Sequence, residues 1–302
     1  MDDMQAGGGT GGAAAGPEGN LAGSLWMIAA MAAFALEDAL IKGAAAALPP
    51  WQVLMLFGLG GAAVFAMAAR LRGEALLSAA AGSRAMRLRA VFEVTGRLFY
   101  MLALALTPLS SATVILQATP LLVVGAAALV LGERVGWRRW SAILIGLAGV
   151  LLILRPGTEG FSALSLLAVI GTLGFAGRDL ASRVAPPSLG PAVLGFYGFL
   201  AVIVAGAALA VIDGTAPVRP GSGAALSLAG AVAAGTLAYG CLMVAMRTGD
   251  VSAVTPFRYT RLIFGIALGI VIFGERPDAA MIAGAGLIVL SGLFILWRGR
   301  RA

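Results

Sequence analysis

LGERVGWRRWSAILIGLAGVLLILR, residues 131–155, returns near the C-terminus as FGERPDAAMIAGAGLIVLSGLFILWR, residues 273–298. Gly132, Glu133 and Arg134 align with Gly274, Glu275 and Arg276, an offset of 142. The same offset pairs Ser110 with Ser252 and Thr113 with Thr255. Upstream, FALEDALIK (34–42) echoes FAGRDLASR (175–183). That echo sets Glu37 opposite Arg178, Asp38 opposite Asp179 and Lys42 opposite Arg183, with Pro50 opposite Pro191 in the same frame. The chain is built twice from one unit.

Each unit is a set of membrane spans. A spanning helix needs about 20 apolar residues. Ten apolar runs qualify: 24–47, 51–69, 90–107, 110–131, 137–154, 161–184, 189–212, 223–246, 252–273 and 278–297. Five fall in each repeat, and an odd number gives the halves opposite orientation. The expected fold is an all-α polytopic membrane protein, with ten transmembrane helices in two inverted five-helix repeats. Inverted repeats are common in secondary transporters, where solute binds near the midplane between them.

Composition agrees. Of 302 residues, 60% are hydrophobic and 12% charged, and the mean hydropathy is +0.96. A soluble domain carries about 25% charged residues. The net charge of +7 does not call for nucleic acid, because the basic residues lie mostly between apolar runs. With the N-terminus in the cytoplasm, thirteen arginines face inside: Arg70, Arg72, Arg84, Arg87, Arg89, Arg134, Arg138, Arg139, Arg183, Arg247, Arg298, Arg300 and Arg301. Only Lys42, Arg155, Arg219 and Arg276 face outside, so both termini are expected in the cytoplasm. The expected location is the inner membrane, with the lipid bilayer as a partner; a homodimer is compatible with the sequence. Residues 1–20, acidic and then Gly/Ala-rich, read as a disordered cytoplasmic tail. The lone Cys241 lies in an apolar run and reads as packing.

The two GER segments and FALEDALIK, with its acidic residue four before a lysine, resemble the drug/metabolite transporter superfamily, in its EamA-like ten-helix branch. The resemblance covers about 21 to 298. It implies a first repeat at 21–155 and a second at 156–302, the latter ending in a short basic tail. It also implies movement of small polar metabolites, such as amino acids, nucleobases or cofactors, through a central cavity. TPFRYTRLIFG (255–265) looks like a subset containing metabolite carriers.

Charged residues inside the spans are the candidates for function, since each costs about 2.5–3.5 kcal/mol at a helix centre on insertion scales. In the ninth span Thr255, Arg258, Arg261 or Leu262, Gly265 and Gly269 share a stripe. Arg258 and Arg261 either receive a solute carboxylate or form salt bridges with Glu37, Glu93 or Asp179. Glu93, Arg97 and Tyr100 share a stripe in the third span. Glu93 and Arg97 either pair structurally, or Arg97 and Tyr100 line the pathway. Ser110, Thr113, Gln117 and Pro120 share roughly one face of the fourth span, and Pro120 frees a backbone carbonyl and can kink the helix. Gln117 fits either a solute contact or a bridge between helices. Tyr239 and Tyr259 are candidate aromatic walls. Asp38 with Lys42 and Asp179 with Arg183 are four apart and can pair internally, either as opposite gates or as snorkelling helix ends. Glu37 lacks a partner at i+4 and is the best candidate for a proton-coupling group. Across the ten charged residues placed inside or at helix ends, six are positive and four negative, which favours a solute bearing an acidic group.

Enzyme chemistry finds little to work with. The chain has no histidine and no GxxxxGK[ST] segment, and the TGD at 248–250 lies in a loop. No cofactor or metal is expected. A passive channel is the alternative to a transporter, and an intramembrane enzyme is a more distant one.

Overall fold

The structure, a computed structural model, describes residues 17–130, 136–155, 162–183, 186, 188–248 and 254–299; the side chains of residues 17, 139, 183, 246, 247, 296, 298 and 299 are outside the description. Its helices are α1 (Pro17–Ala45), α2 (Pro50–Leu71), α3 (Arg84–Leu106), α4 (Leu109–Leu116), α5 (Thr119–Val130), α6 (Trp137–Leu154), α7 (Ser165–Arg183), α8 (Pro191–Asp213), α9 (Ser222–Thr248), α10 (Thr260–Phe273) and α11 (Ala279–Gly299). Short 3₁₀ turns cover Ala79–Gly82 and Thr255–Tyr259. Counting α4 with α5, and the 255–259 turn with α10, these make the ten expected spans. Six are long and apolar enough to cross a membrane outright, and α3 and α7 are not among them. Those two carry five of the eight charges described below.

Three expectations about boundaries are corrected. Residues 17–20, read as disordered tail, belong to α1, where Glu18 in the first turn suits the positive helix end. The third span starts at Arg84, not at residue 90, with the Ser83 hydroxyl accepting the Met86 amide. The fourth span is interrupted, and the ninth changes its winding near the equivalent place. The fourth breaks at Gln117 and Ala118, just before Pro120. A proline lacks the amide that would continue the ladder, and it settles in the first turn of a new helix. The ninth opens as a 3₁₀ turn carrying Pro256.

Packing follows the repeat. The largest interfaces are α1 with α9, α2 with α8, α3 with α7, and α6 with α11, and α4 also packs against α10. Exchanging the repeats turns the α1–α9 pair into the α7–α3 pair and returns the other three onto themselves. That is the pattern a pseudo-twofold axis requires. Small residues allow the closest approaches. A Cβ on Gly174 of α7 would lie 2.5 Å from the Gly96 amide of α3, and one on Gly149 of α6 2.7 Å from the Gly284 carbonyl of α11.

Polar contacts at the helix ends sort into two faces. On one, Gln52 exchanges two hydrogen bonds with the Val218 backbone, and Arg155 pairs with Asp278. On the other, Tyr197 donates to the Leu76 carbonyl at 3.0 Å. Cys241 is buried with Met27, Ala30, Met31, Ala245 and Val254. The first GER triplet and Ser252 lie outside the described residues.

Candidate functional site

Successive turns of α3 present Arg89, Glu93, Arg97 and Tyr100 to the centre of the bundle. The Glu93 carboxylate, 2% exposed, holds three guanidinium groups: Arg178 at 3.2 Å, Arg97 at 3.4 Å and Arg89 at 3.6 Å. Arg178 also pairs with its neighbour Asp179 at 2.8 Å. Arg97 reaches across to Glu37 of α1 at 3.4 Å. The next residue, Asp38, accepts from Arg261 of α10 at 2.6 Å and from the Tyr100 hydroxyl at 3.1 Å. Four carboxylates and four guanidinium groups thus join α1, α3, α7 and α10, drawing on both repeats. Three of the carboxylates are nearly sealed, while Arg97, Arg178 and Asp179 keep about a quarter of their side chains accessible.

Aromatic rings carry the cations. Phe175 lies under both Arg97 and Arg178, and Phe34 lies under Arg261. Phe34 and Phe175 are repeat equivalents, as are Glu37 and Arg178. The symmetry extends to their neighbours. Arg178 bonds Glu93, and the residue 142 positions after Glu93 is Gly235. A Cβ on Gly235 would stand 2.9 Å from the Glu37 carboxylate. The same inter-helix position is an ion pair in one half and a carboxylate over a glycine in the other.

The internal pairs expected at i, i+4 meet different fates. Glu93 and Arg97 do pair. Asp38 and Lys42 do not: Asp38 turns to Arg261, while Lys42 donates to the Leu104 and Thr107 carbonyls at the end of α3. Asp179 pairs with Arg178, and the Arg183 side chain is outside the description. Arg261 does form a buried pair, but with Asp38, not with Glu37, Glu93 or Asp179. Arg258 stands in the 3₁₀ turn, and its carbonyl accepts from the Gln117 side chain at 3.1 Å. Gln117 therefore ties the break in the fourth span to the 3₁₀ turn of the ninth. Tyr259 points the other way, against Gly292 of α11. The Tyr239 hydroxyl donates to the Pro191 carbonyl, and its ring meets Phe65 edge-on.

Arg89, read from sequence as a loop charge, is a member of the cluster, 9% exposed and also bonded to Ser182. Its spacing of four from Glu93 was the available signal. Counted over the described side chains that meet there, four guanidinium groups face four carboxylates, with Arg89 included, Lys42 bound to the end of α3 and the Arg183 side chain outside the description. The six-to-four count included Lys42, which lies outside this cluster, and left out Arg89, which belongs to it. Two buried polar atoms beside it, Arg261 Nε and Thr113 Oγ1, have no partner among the described residues.

The EamA-like transporter family matches residues 21–155 and again 163–297, and the chain belongs to it. An S-adenosylmethionine uptake transporter of Rickettsia felis is 27% identical over 71% of this chain and 72% of its own length. A riboflavin transporter of Rhizobium johnstonii is 27% identical over 93% and 92%. The pseudopaline exporter CntI of Pseudomonas aeruginosa is 27% identical over 89% and 94%. A solved crystal structure covers 92% of this chain and 98% of its own with a TM-score of 0.62; at 24% identity it speaks for the shared fold alone. This is a multi-pass membrane transporter of small metabolites, not an enzyme.

Proposed function

We propose that the chain is a secondary transporter that works by alternating access, with both termini in the cytoplasm, across the inner membrane. The solute binds at the cluster of Glu37, Asp38, Arg97, Tyr100 and Arg261, and it carries both a carboxylate and an ammonium group. One observation supports this most directly: the four carboxylates and four guanidinium groups described in the cluster are paired with one another. Removing one partner of a buried pair leaves an uncompensated charge, at a cost of about 3–5 kcal/mol. A simple anion taken by Arg97 or Arg261 would strand Glu37 or Asp38. A zwitterion replaces both halves of a pair at once. The amino-acid end of S-adenosylmethionine, named for the Rickettsia relatives, is such a group.

Alternating access is supported by the inverted packing and by the interruption of the fourth span, linked through Gln117 to the 3₁₀ turn of the ninth. Discontinuous helices at equivalent positions are where transporters of inverted-repeat design hold their solutes. Glu37 is the candidate for a coupled proton: its single cationic contact, at 3.4 Å, is longer than that of Asp38 at 2.6 Å or Asp179 at 2.8 Å, while Glu93 has three.

Thermal denaturation of the detergent-purified protein tests the substrate class. Free amino acids and S-adenosylmethionine should raise the midpoint, because a ligand of the native state stabilises it. Simple carboxylates and riboflavin should not. The shift should vanish in Arg261→Ala. A shift with simple carboxylates alone would refute the zwitterion reading. Accumulation of solute against its gradient in vesicles would separate transporter from channel.

A further inference from the structure

We infer that Glu275, which lies outside the central charge cluster, is the residue that locks the transporter closed on one membrane face. The inference rests on the alternating-access reading. Three chain ends converge on that face: the end of α1, the junction of α3 with α4, and the end of α10. At Thr107 and Pro108 the chain turns between two helices. The last carbonyls of α3 and the first amides of α4 are both without helical partners there. Lys42 supplies the cation for the carbonyls, donating to Leu104 at 2.9 Å and Thr107 at 2.6 Å. Glu275 supplies the anion for the amides, accepting from the Leu109 amide at 2.5 Å and the Ser110 amide at 2.9 Å, and from the Ser110 hydroxyl. Each charge complements the helix end it meets. The Phe273 ring, 5.4 Å from the Lys42 ammonium, fills the space between.

Glu275 is a loop residue whose carboxylate is nonetheless turned inward. Gly274 adopts φ 63°, which reverses the chain so that the Glu275 amide bonds the Gly269 carbonyl. A Cβ on Gly269 would come within 2.5 Å of the carboxylate, so only glycine leaves room for it. Below the clamp, Thr113 of α4 packs on Gly265 of α10, where a Cβ would lie 2.5 Å from its methyl group. One turn further down α10 is Arg261, paired with Asp38. The clamp thus stands between this face and the cluster, across the α4–α10 seam that joins the repeats. Parting α4 from α10 to admit solute from this face must break every Glu275 contact to α4.

The test uses a reporter cysteine beneath the clamp, in the full chain with Cys241→Ala and Thr113→Cys. A membrane-impermeant maleimide is applied from each face of oriented vesicles. The parent should label slowly from both faces. Glu275→Gln should speed labelling from the clamp face by about tenfold, the effect of one lost charge-assisted hydrogen bond on a two-state equilibrium. It should not speed labelling from the opposite face. Ser110→Ala, which removes only the hydroxyl contact, should shift labelling the same way by less, and it decides the matter if Glu275→Gln fails to fold. Arg276→Gln is the neighbouring control. Unchanged labelling in Glu275→Gln and Ser110→Ala, with both faces accessible in the parent, would overturn the lock and leave alternating access standing. Equal acceleration from both faces would make Glu275 a structural cap. A parent labelled from one face only, or from neither, would overturn alternating access and the lock with it.

Discussion

Arg97 sits 3.4 Å from both Glu37 and Glu93, bridging α1 to α3. The two carboxylates have different tasks. Glu93 gathers three guanidinium groups from α3 and α7, so its charge is the fixed point of the cluster. Glu93→Gln would leave those cations without their shared anion, and a loss of about 3–5 kcal/mol of stability is expected. Glu37→Gln removes one long contact and should cost distinctly less in the same thermal measurement. Equal losses would remove the distinction between a structural carboxylate and a mobile one. At this scale the sequence was partly legible. Arg261 and Glu37 stood out because charge inside an apolar run is conspicuous. The partner of Arg261 did not, because Asp38 lies 223 residues away and the local i, i+4 spacing pointed it to Lys42. Arg89 was hidden by a helix start six residues earlier than hydropathy suggested.

Among the elements, α3 and α7 are the least apolar spans, and they bear on each other most closely through glycine. Gly174→Val would push a side chain into the Gly96 amide, and overpacking of this kind costs about 1–3 kcal/mol. The melting midpoint should fall, and the Arg178–Glu93 pair should loosen with it; an unchanged midpoint would mean that the interface is slack. Outside the membrane, Asp278 opens α11, accepting from the Met281 amide at 2.9 Å. That amide, with Arg155 beside it, holds the carboxyl below the usual carboxylate range. Its stabilising contribution is therefore present at neutral pH and is lost as the pH falls through that lowered value. Asp278→Ala should cost about 1 kcal/mol at neutral pH, with the difference from the parent narrowing in acid. Helix number was legible because ten apolar runs are separated by turn residues and charge. A kink near Pro120 in the fourth span was legible too, but the two-residue turn ahead of it and the 3₁₀ opening of the ninth span were not. Hydropathy averages across a proline and cannot register a two-residue turn.

For the whole molecule, inversion is the organising fact. The GER repeat and an odd span count carried it in sequence, and the exchange of α1–α9 with α7–α3 carries it in packing. Inversion brings Asp38 and Glu93 of one half against Arg261 and Arg178 of the other, so four described cations meet four described anions where neither half alone has that balance. That placement could not be read from residue types, because it depends on which helices cross at the centre. Solute is expected to meet this cluster and exchange for its internal pairs. Uptake of labelled zwitterions, S-adenosylmethionine first among them, into vesicles holding the purified protein is the most direct measurement. The account expects saturable uptake, stimulated by the same solute inside the vesicle and lost in Arg261→Ala. Uptake that never saturates, or that is the same in Arg261→Ala, would contradict it.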